Sequence, residues 1–263
     1  MKTSLMSGLM KSMQSSACFG ALIILMTFGL PHEGFGAVLY EQKFTNTSGA
    51  NVAVNSVGWN SYFGSNAAQW SSNTTVTRIT TGASNPNTDP AGVLAYVSGE
   101  AAGTPSVAAF TGTFSSINIA NSTITWTMGN SATSVAVQLL VQVGGSWYVS
   151  NTPFSNSTAY TGTTFPAAST ASVLQTLTFS TAASQWSTFT LTPYTTMGVG
   201  TTLTNPLPSS SITGIGFYIS NAANQVARLD SLTITAVPEP STAILACAGL
   251  GLLLLRKRGG RLS

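Results

Sequence analysis

Apolar side chains alternate with polar or small ones through much of the middle of this chain. Val135, Val137, Leu139, Val141 and Val143 are separated by Ala136, Gln138, Leu140 and Gln142, a period of two. That is the pattern of a strand with one face on a core. Gly144-Gly145 and then Trp147-Tyr148-Val149 follow, so the pattern predicts a hairpin closed by a glycine turn. The same alternation recurs at Ile124/Trp126/Met128, Leu177/Phe179, Phe189/Leu191, Ile215/Phe217/Ile219 and Leu232/Ile234, with threonine at many intervening positions. Threonine suits a strand's solvent face. Trp126 shares its face with Ile124 and Met128 and is assigned to the core. No segment here has a helical period. Short strands punctuated by Gly, Asn, Ser and Pro clusters predict an all-β fold, an antiparallel jelly-roll-like β-sandwich formed as one domain over residues 37–236.

The two ends break the pattern. Residues 1–36 carry Lys2 and Lys11, then an apolar run over 17–30, then small residues around Gly34 and Gly36. That order is the one a secretory signal peptide requires. The run is short for a hydrocarbon core of ~30 Å, so removal is expected over anchoring. Cys18 precedes the apolar run and has Ser15, Ser16 and Ala17 before it, so no lipid attachment is expected there. At the other end, 241–255 is apolar and uncharged, and Arg256, Lys257 and Arg258 follow it. The run falls short of the roughly 20 residues of a usual transmembrane helix. Its basic flank would stay on the cytoplasmic side, which places the body outside the inner membrane.

Charge sharpens this division. Only 6% of the residues are charged, and the formal net charge is +3. The positive excess comes from Lys2, Lys11, Arg256, Lys257, Arg258 and Arg261, all in the end segments. Between them, Lys43, Arg78 and Arg228 stand against Glu41, Asp89, Glu100 and Asp230, a net −1. Three scattered cations cannot form the basic footprint that nucleic acid requires, so nucleic acid is not an expected partner. The lone histidine, His32, and both cysteines, Cys18 and Cys247, also lie in the ends. The body therefore has no means of making a disulfide, a His/Cys zinc site or a Ser-His or Cys-His nucleophile pair. A glycosidase needs two carboxylates roughly 5 to 10 Å apart across the scissile bond. Each of the four acids has another plausible role, Asp89 for instance lying in a turn-forming Asn-Pro-rich segment. Neither an enzyme nor a cofactor is expected.

The order Pro238-Glu239-Pro240, apolar run, basic cluster resembles the bacterial PEP-CTERM sorting signal over residues 237–263. The resemblance implies processing by an exosortase-type protease in the inner membrane. The tail would be cleaved near the motif, and the body passed to the cell surface or an exopolysaccharide matrix. It makes Pro238, Glu239 and Pro240 the recognition element, 241–255 a sorting helix held transiently in the membrane, and Arg256, Lys257 and Arg258 its cytoplasmic basic tail. The physics agrees: two prolines hold an extended segment that cannot continue a helix.

Three further pieces, LYEQKFTNTSG, SQWSTFTL and ARLDSLTIT, are similar to the first, a middle and the last strand of carbohydrate-binding-module-like jelly rolls. In the last, Asp230 shares parity with Arg228, Leu232 and Ile234 and is predicted to point inward, where a carboxylate needs a partner. Arg228 is one partner. A structural Ca²⁺ with Glu41 as co-ligand is the other, implied by the resemblance. Trp59, Tyr62, Phe63 and Trp70 gather in a Gly/Asn/Ser-rich region. Exposed, such rings would stack on sugars; more commonly, rings of this size fill a core. Two functions follow: a structural component of the envelope or matrix or, alternatively, a surface-displayed carbohydrate-binding module. A solvent-facing ring row flanked by Asn and Gln would favour the binder. Buried rings under a Ser/Thr/Asn surface would favour the matrix component.

Overall fold

The expected glycine hairpin is present. In a computed structural model of the chain, β9 (Ala136–Val143) and β10 (Ser146–Ser150) pair antiparallel. They are joined by Gly144 and Gly145 at φ 58° and 83°, left-handed values that side chains with a Cβ resist. The structure describes residues 36–63, 77–80, 92–97, 106–112, 114–161, 165, 172–192, 196–220 and 224–237. The proposed signal peptide, Trp70, the side chain of Phe63, Pro238, Glu239, Pro240, the apolar run 241–255 and Arg256, Lys257 and Arg258 lie outside the described residues.

The remaining strands are β1 (Val38–Gln42), β2 (Val52–Ala53), β3 (Asn60–Phe63), β4 (Thr77–Ile79), β5 (Leu94–Val97), β6 (Val107–Thr111), β7 (Ile117–Asn118) and β8 (Thr123–Met128), then β11 (Leu174–Thr178), β12 (Trp186–Thr192), β13 (Thr196–Thr202), β14 (Ser211–Ile212), β15 (Gly214–Ser220) and β16 (Val226–Thr235). The only helical pieces among the described residues are two 3-10 turns, Val54–Val57 and Ala183–Gln185. All pairings are antiparallel. One seven-stranded sheet runs β11-β8-β16-β5-β4-β2, with β1 also against β16; the second runs β13-β12-β10-β9-β15-β6-β3; β14 and β7 form a short third pair. The fold is all-β and sandwich-like, and Ala37–Val237 is one compact unit.

The core is built by the period of two. Ile124, Trp126 and Met128 of β8, Val137, Leu139 and Val141 of β9, and Ile215, Phe217 and Ile219 of β15 lose essentially all exposure in one cluster drawn from both large sheets. Trp126 from the first sheet meets Phe217 from the second at 5.6 Å between ring centroids. Trp59 stacks on the same Phe217 at 6.1 Å and takes the edge of Phe44 at 4.9 Å. Each such side chain contributes roughly 1.5–3 kcal/mol on burial, so this ring chain is a principal tie between the sheets.

A bulge in β16 corrects one expectation. Asp230 pairs with Thr127 and Thr233 pairs with Thr125, so the register shifts between them, and Ser231 sits at φ 53°. The bulge carries one extra residue, which reverses the parity of everything beyond it. Leu229, Leu232 and Ile234 therefore face the core together, while Arg228 and Asp230 share the opposite face. Asp230 does not point the same way as Leu232 and Ile234.

Candidate functional site

The far side of the second sheet is also apolar. From Leu139 to Val141 three apolar residues run in succession, so β9 has an apolar residue on both faces. Leu140, Val149, Ala108, Phe110, Phe189 and Tyr62 form a second cluster, against which Trp147, Leu191 and Tyr218 are packed while partly exposed. The register sets these residues in rows across the strands. Gly214 is opposite Gln142, Gln142 opposite Trp147, Trp147 opposite Phe189 and Phe189 opposite Val199. Tyr218, four residues further along β15, is opposite Gln138.

The rings are in contact along this face. Tyr62 stacks on Phe110 at 5.6 Å and 11°, Phe110 meets Trp147 edge to face at 5.0 Å, and Phe189 meets Tyr218 at 5.2 Å. Contacts of this kind are worth about 0.5–1.5 kcal/mol beyond area burial. Glycine makes room for them: a Cβ on Gly214 would stand 2.8 Å from the Trp147 ring, and one on Gly216 would strike Phe110. The flanking amides are tethered. Gln138 Nε2 donates to the carbonyl of Ser150 at 2.7 Å, and Gln142 Oε1 accepts from the Thr213 hydroxyl at 3.0 Å. Beside Trp147, a shallow depression of about 360 Å³ is lined by Ser146, Phe189, Leu191 and Thr192. No charged residue or histidine occurs anywhere from 101 to 227, a stretch holding six of this sheet's seven strands; the seventh, β3, is uncharged as well. Half-exposed rings beside fixed amides on an uncharged surface can stack on, and hydrogen-bond to, a polyhydroxylated ligand.

Of the rings singled out in the sequence, Trp59 falls elsewhere, Tyr62 lies on this face and Trp70 is outside the described residues. Trp59 is 1% exposed and packed between Phe44 and Phe217, so its faces are taken and it is no stacking platform. Tyr62 belongs to the ring-bearing face but is 5% exposed, flat against Phe110. It supports the face without presenting itself. Trp147, Phe189 and Tyr218 were not singled out, although the doubly apolar β9 and Phe189/Leu191 were a signal that this sheet had two apolar faces.

Asp230 is buried, with Oδ1 accepting the Ser231 amide at 2.7 Å. The expected Arg228 partnership takes another form: Arg228 Nη1 donates to the carbonyls of Gly129 and Tyr160, each at 3.1 Å. Burial pushes the Arg228 guanidinium below its ordinary pKa. Glu41 is opposite Thr233, beyond the bulge from Asp230, and pairs with Lys43 at 3.8 Å. Among the described residues no group of three or more His, Cys, Asp or Glu is placed to hold a metal ion. Nor is any helix among them long and apolar enough to cross a membrane.

Beyond β16 the chain reads Pro238-Glu239-Pro240, an apolar run and a basic cluster, and residues 236–258 match the family model of the PEP-CTERM protein-sorting motif. The chain carries a PEP-CTERM sorting motif. A PEP-CTERM signal implies export to the cell surface or extracellular space and is associated generally with exosortase processing. No curated protein matches this PEP-CTERM chain. Solved structures with some likeness include an exo-β-agarase, at 13% identity and TM-score 0.38, covering 68% of this chain and 24% of the agarase chain. A Stig cyclase, Fisc from Fischerella sp. TAU, has 12% identity and TM-score 0.38, covering 77% of this chain and 100% of the cyclase. CtCBM11 has 12% identity and TM-score 0.35, covering 80% and 100%.

Proposed function

We propose that this is a non-catalytic glycan-binding protein of the cell surface or extracellular matrix, with a jelly-roll body that holds neutral polysaccharide on the outer face of its second sheet. The observation that carries this reading is the uncharged face on which Trp147 and Tyr218 stand half exposed beside Gln138 and Gln142. It is the arrangement that favours a binder over an inert matrix component. Removal of residues 1–36 as a signal peptide and transient membrane anchoring through 241–255 belong to the same reading, as does exosortase cleavage near Pro238. The sorting motif supports delivery, and the ring face supports what the body does on arrival. Neither DNA nor RNA is a ligand, since counterion release needs clustered cations.

Affinity electrophoresis and glycan arrays on the body Ala37–Val237 test the site. Trp147→Ala and Tyr218→Ala should each weaken retention on a neutral polysaccharide about tenfold or more, with a smaller loss of stability than a fully buried ring costs. Trp59→Ala, which empties a core position, should instead cost about 3–5 kcal/mol of stability. Retention unchanged by both ring-face substitutions would remove the site. Binding to no glycan at all would return the protein to a purely structural role.

A further inference from the structure

The second sheet ends at β13, a seven-residue edge strand, and most of it is open. Thr196, Val199, Gly200, Thr201 and Thr202 are exposed, Val199 at 46%. Proteins usually blunt such an edge with charges, proline or a very short strand. The far end of this sheet and one end of the first are short, β3 with four residues and β2 with two, while β11 at the first sheet's other end is an uncharged five-residue strand. Strand β13 has no charge and no proline, and the nearest charged residues in sequence are Glu100 and Arg228.

We infer that β13 is a self-pairing edge through which two copies of the body join about a two-fold axis. The strand reads T-M-G-V-G-T-T over 196–202 and is close to a palindrome about Val199. Antiparallel pairing of the strand with its own copy sets Val199 opposite Val199 and Gly198 opposite Gly200, the part of the strand that precedes its bulge. A two-fold interface demands this self-complementarity. Glycine opposite glycine lets the backbones approach, and two uncharged edges do not repel. Opposite β12 the register shifts between Val199 and Thr202, so the ladder between copies is short and the association weak, with a dissociation constant of about 10–100 μM.

The two-fold axis would stand perpendicular to the joined sheet, so both ring-bearing faces would look the same way. Trp147 lies two strands in from the edge, which puts the two copies of it about 24 Å apart at the usual strand spacing. That part rests on the glycan reading, and it predicts stronger retention on polymer than on short oligomers through bivalency.

The body has no cysteine, which allows a direct test. Under mild oxidation Val199→Cys should cross-link to a disulfide dimer, while Thr196→Cys, three residues from the two-fold axis, should cross-link at least about tenfold more slowly. Wild-type body in sedimentation velocity should shift reversibly from monomer to dimer over roughly 1 to 300 μM. Val199→Lys should abolish the shift, with Thr196→Lys as the second variant should that one fail to fold. Equal cross-linking at the two positions would overturn the inference. So would a wild-type monomer at every concentration, or a dimer that survives lysine on the edge. None of these readouts involves a glycan, so failure of the edge and failure of the ring face are told apart.

Discussion

Burial of the Tyr96 side chain in the core pushes its hydroxyl up to about 12, because a phenolate there would lose its water. In the unfolded chain the group ionises near pH 10. Stability from this residue is therefore fully present below about pH 10 and is lost as the pH rises toward 12. Tyr40 is shifted upward by burial as well and adds to the same slope. Thermal melts between pH 8 and 12 should be level to about pH 10 and then fall, with a shallower fall in Tyr96→Phe. A steep loss below pH 9 would contradict the argument. The same scale explains Trp147 and Trp59. Both are strand-associated indoles in a Ser/Gly/Asn-rich setting, yet one lies over Gly214 on the outer face and the other is enclosed by Phe44 and Phe217.

At the scale of elements, β16 shows how one residue sets two faces. It pairs with β8 along one edge and with β5 and then β1 along the other, so its register constrains three other strands. The bulge at Ser231 lets Leu229 and Leu232 enter the same core from either side of it. Deleting Ser231 would swing one half of the strand outward, exposing either Leu229 or Leu232 with Ile234. The deletion is expected to abolish the folded body, measured as loss of soluble yield and of the cooperative melt. Ser231→Gly, which accepts positive φ readily, should stay within about 1 kcal/mol of wild type. A deletion variant that melts like wild type would disprove the parity account. The hairpin of β9 and β10 was legible because its turn is local and its alternation long. Strand β6, Val-Ala-Ala-Phe-Thr and buried at every position, was not: with both faces covered, it shows no alternation to read.

For the molecule as a whole, the sorting motif and the charge distribution make the two ends separable from the body. Material recovered from the cell surface should have an intact mass that lacks 1–36 and everything after about Pro238 to Ser241. Retention of Arg256, Lys257 and Arg258 in that material would overturn processing at the motif. Binding should vary little between pH 6 and 8, since the ring face carries no group that titrates there.

The sequence alone determined the strand content, the glycine turn, the sorting motif and the absence of histidine, cysteine and clustered charge from the body. Each of these is a local or compositional property, complete within a few neighbouring residues or within the census of the chain. Tertiary structure alone decided which rings are covered and which are open, because period two assigns side chains to alternate faces without saying which face meets another sheet. In the second sheet both faces are apolar, and in β16 a single left-handed residue exchanges them. Trp59 became core, and Trp147 an outer ring, through strand pairings between residues far apart in sequence.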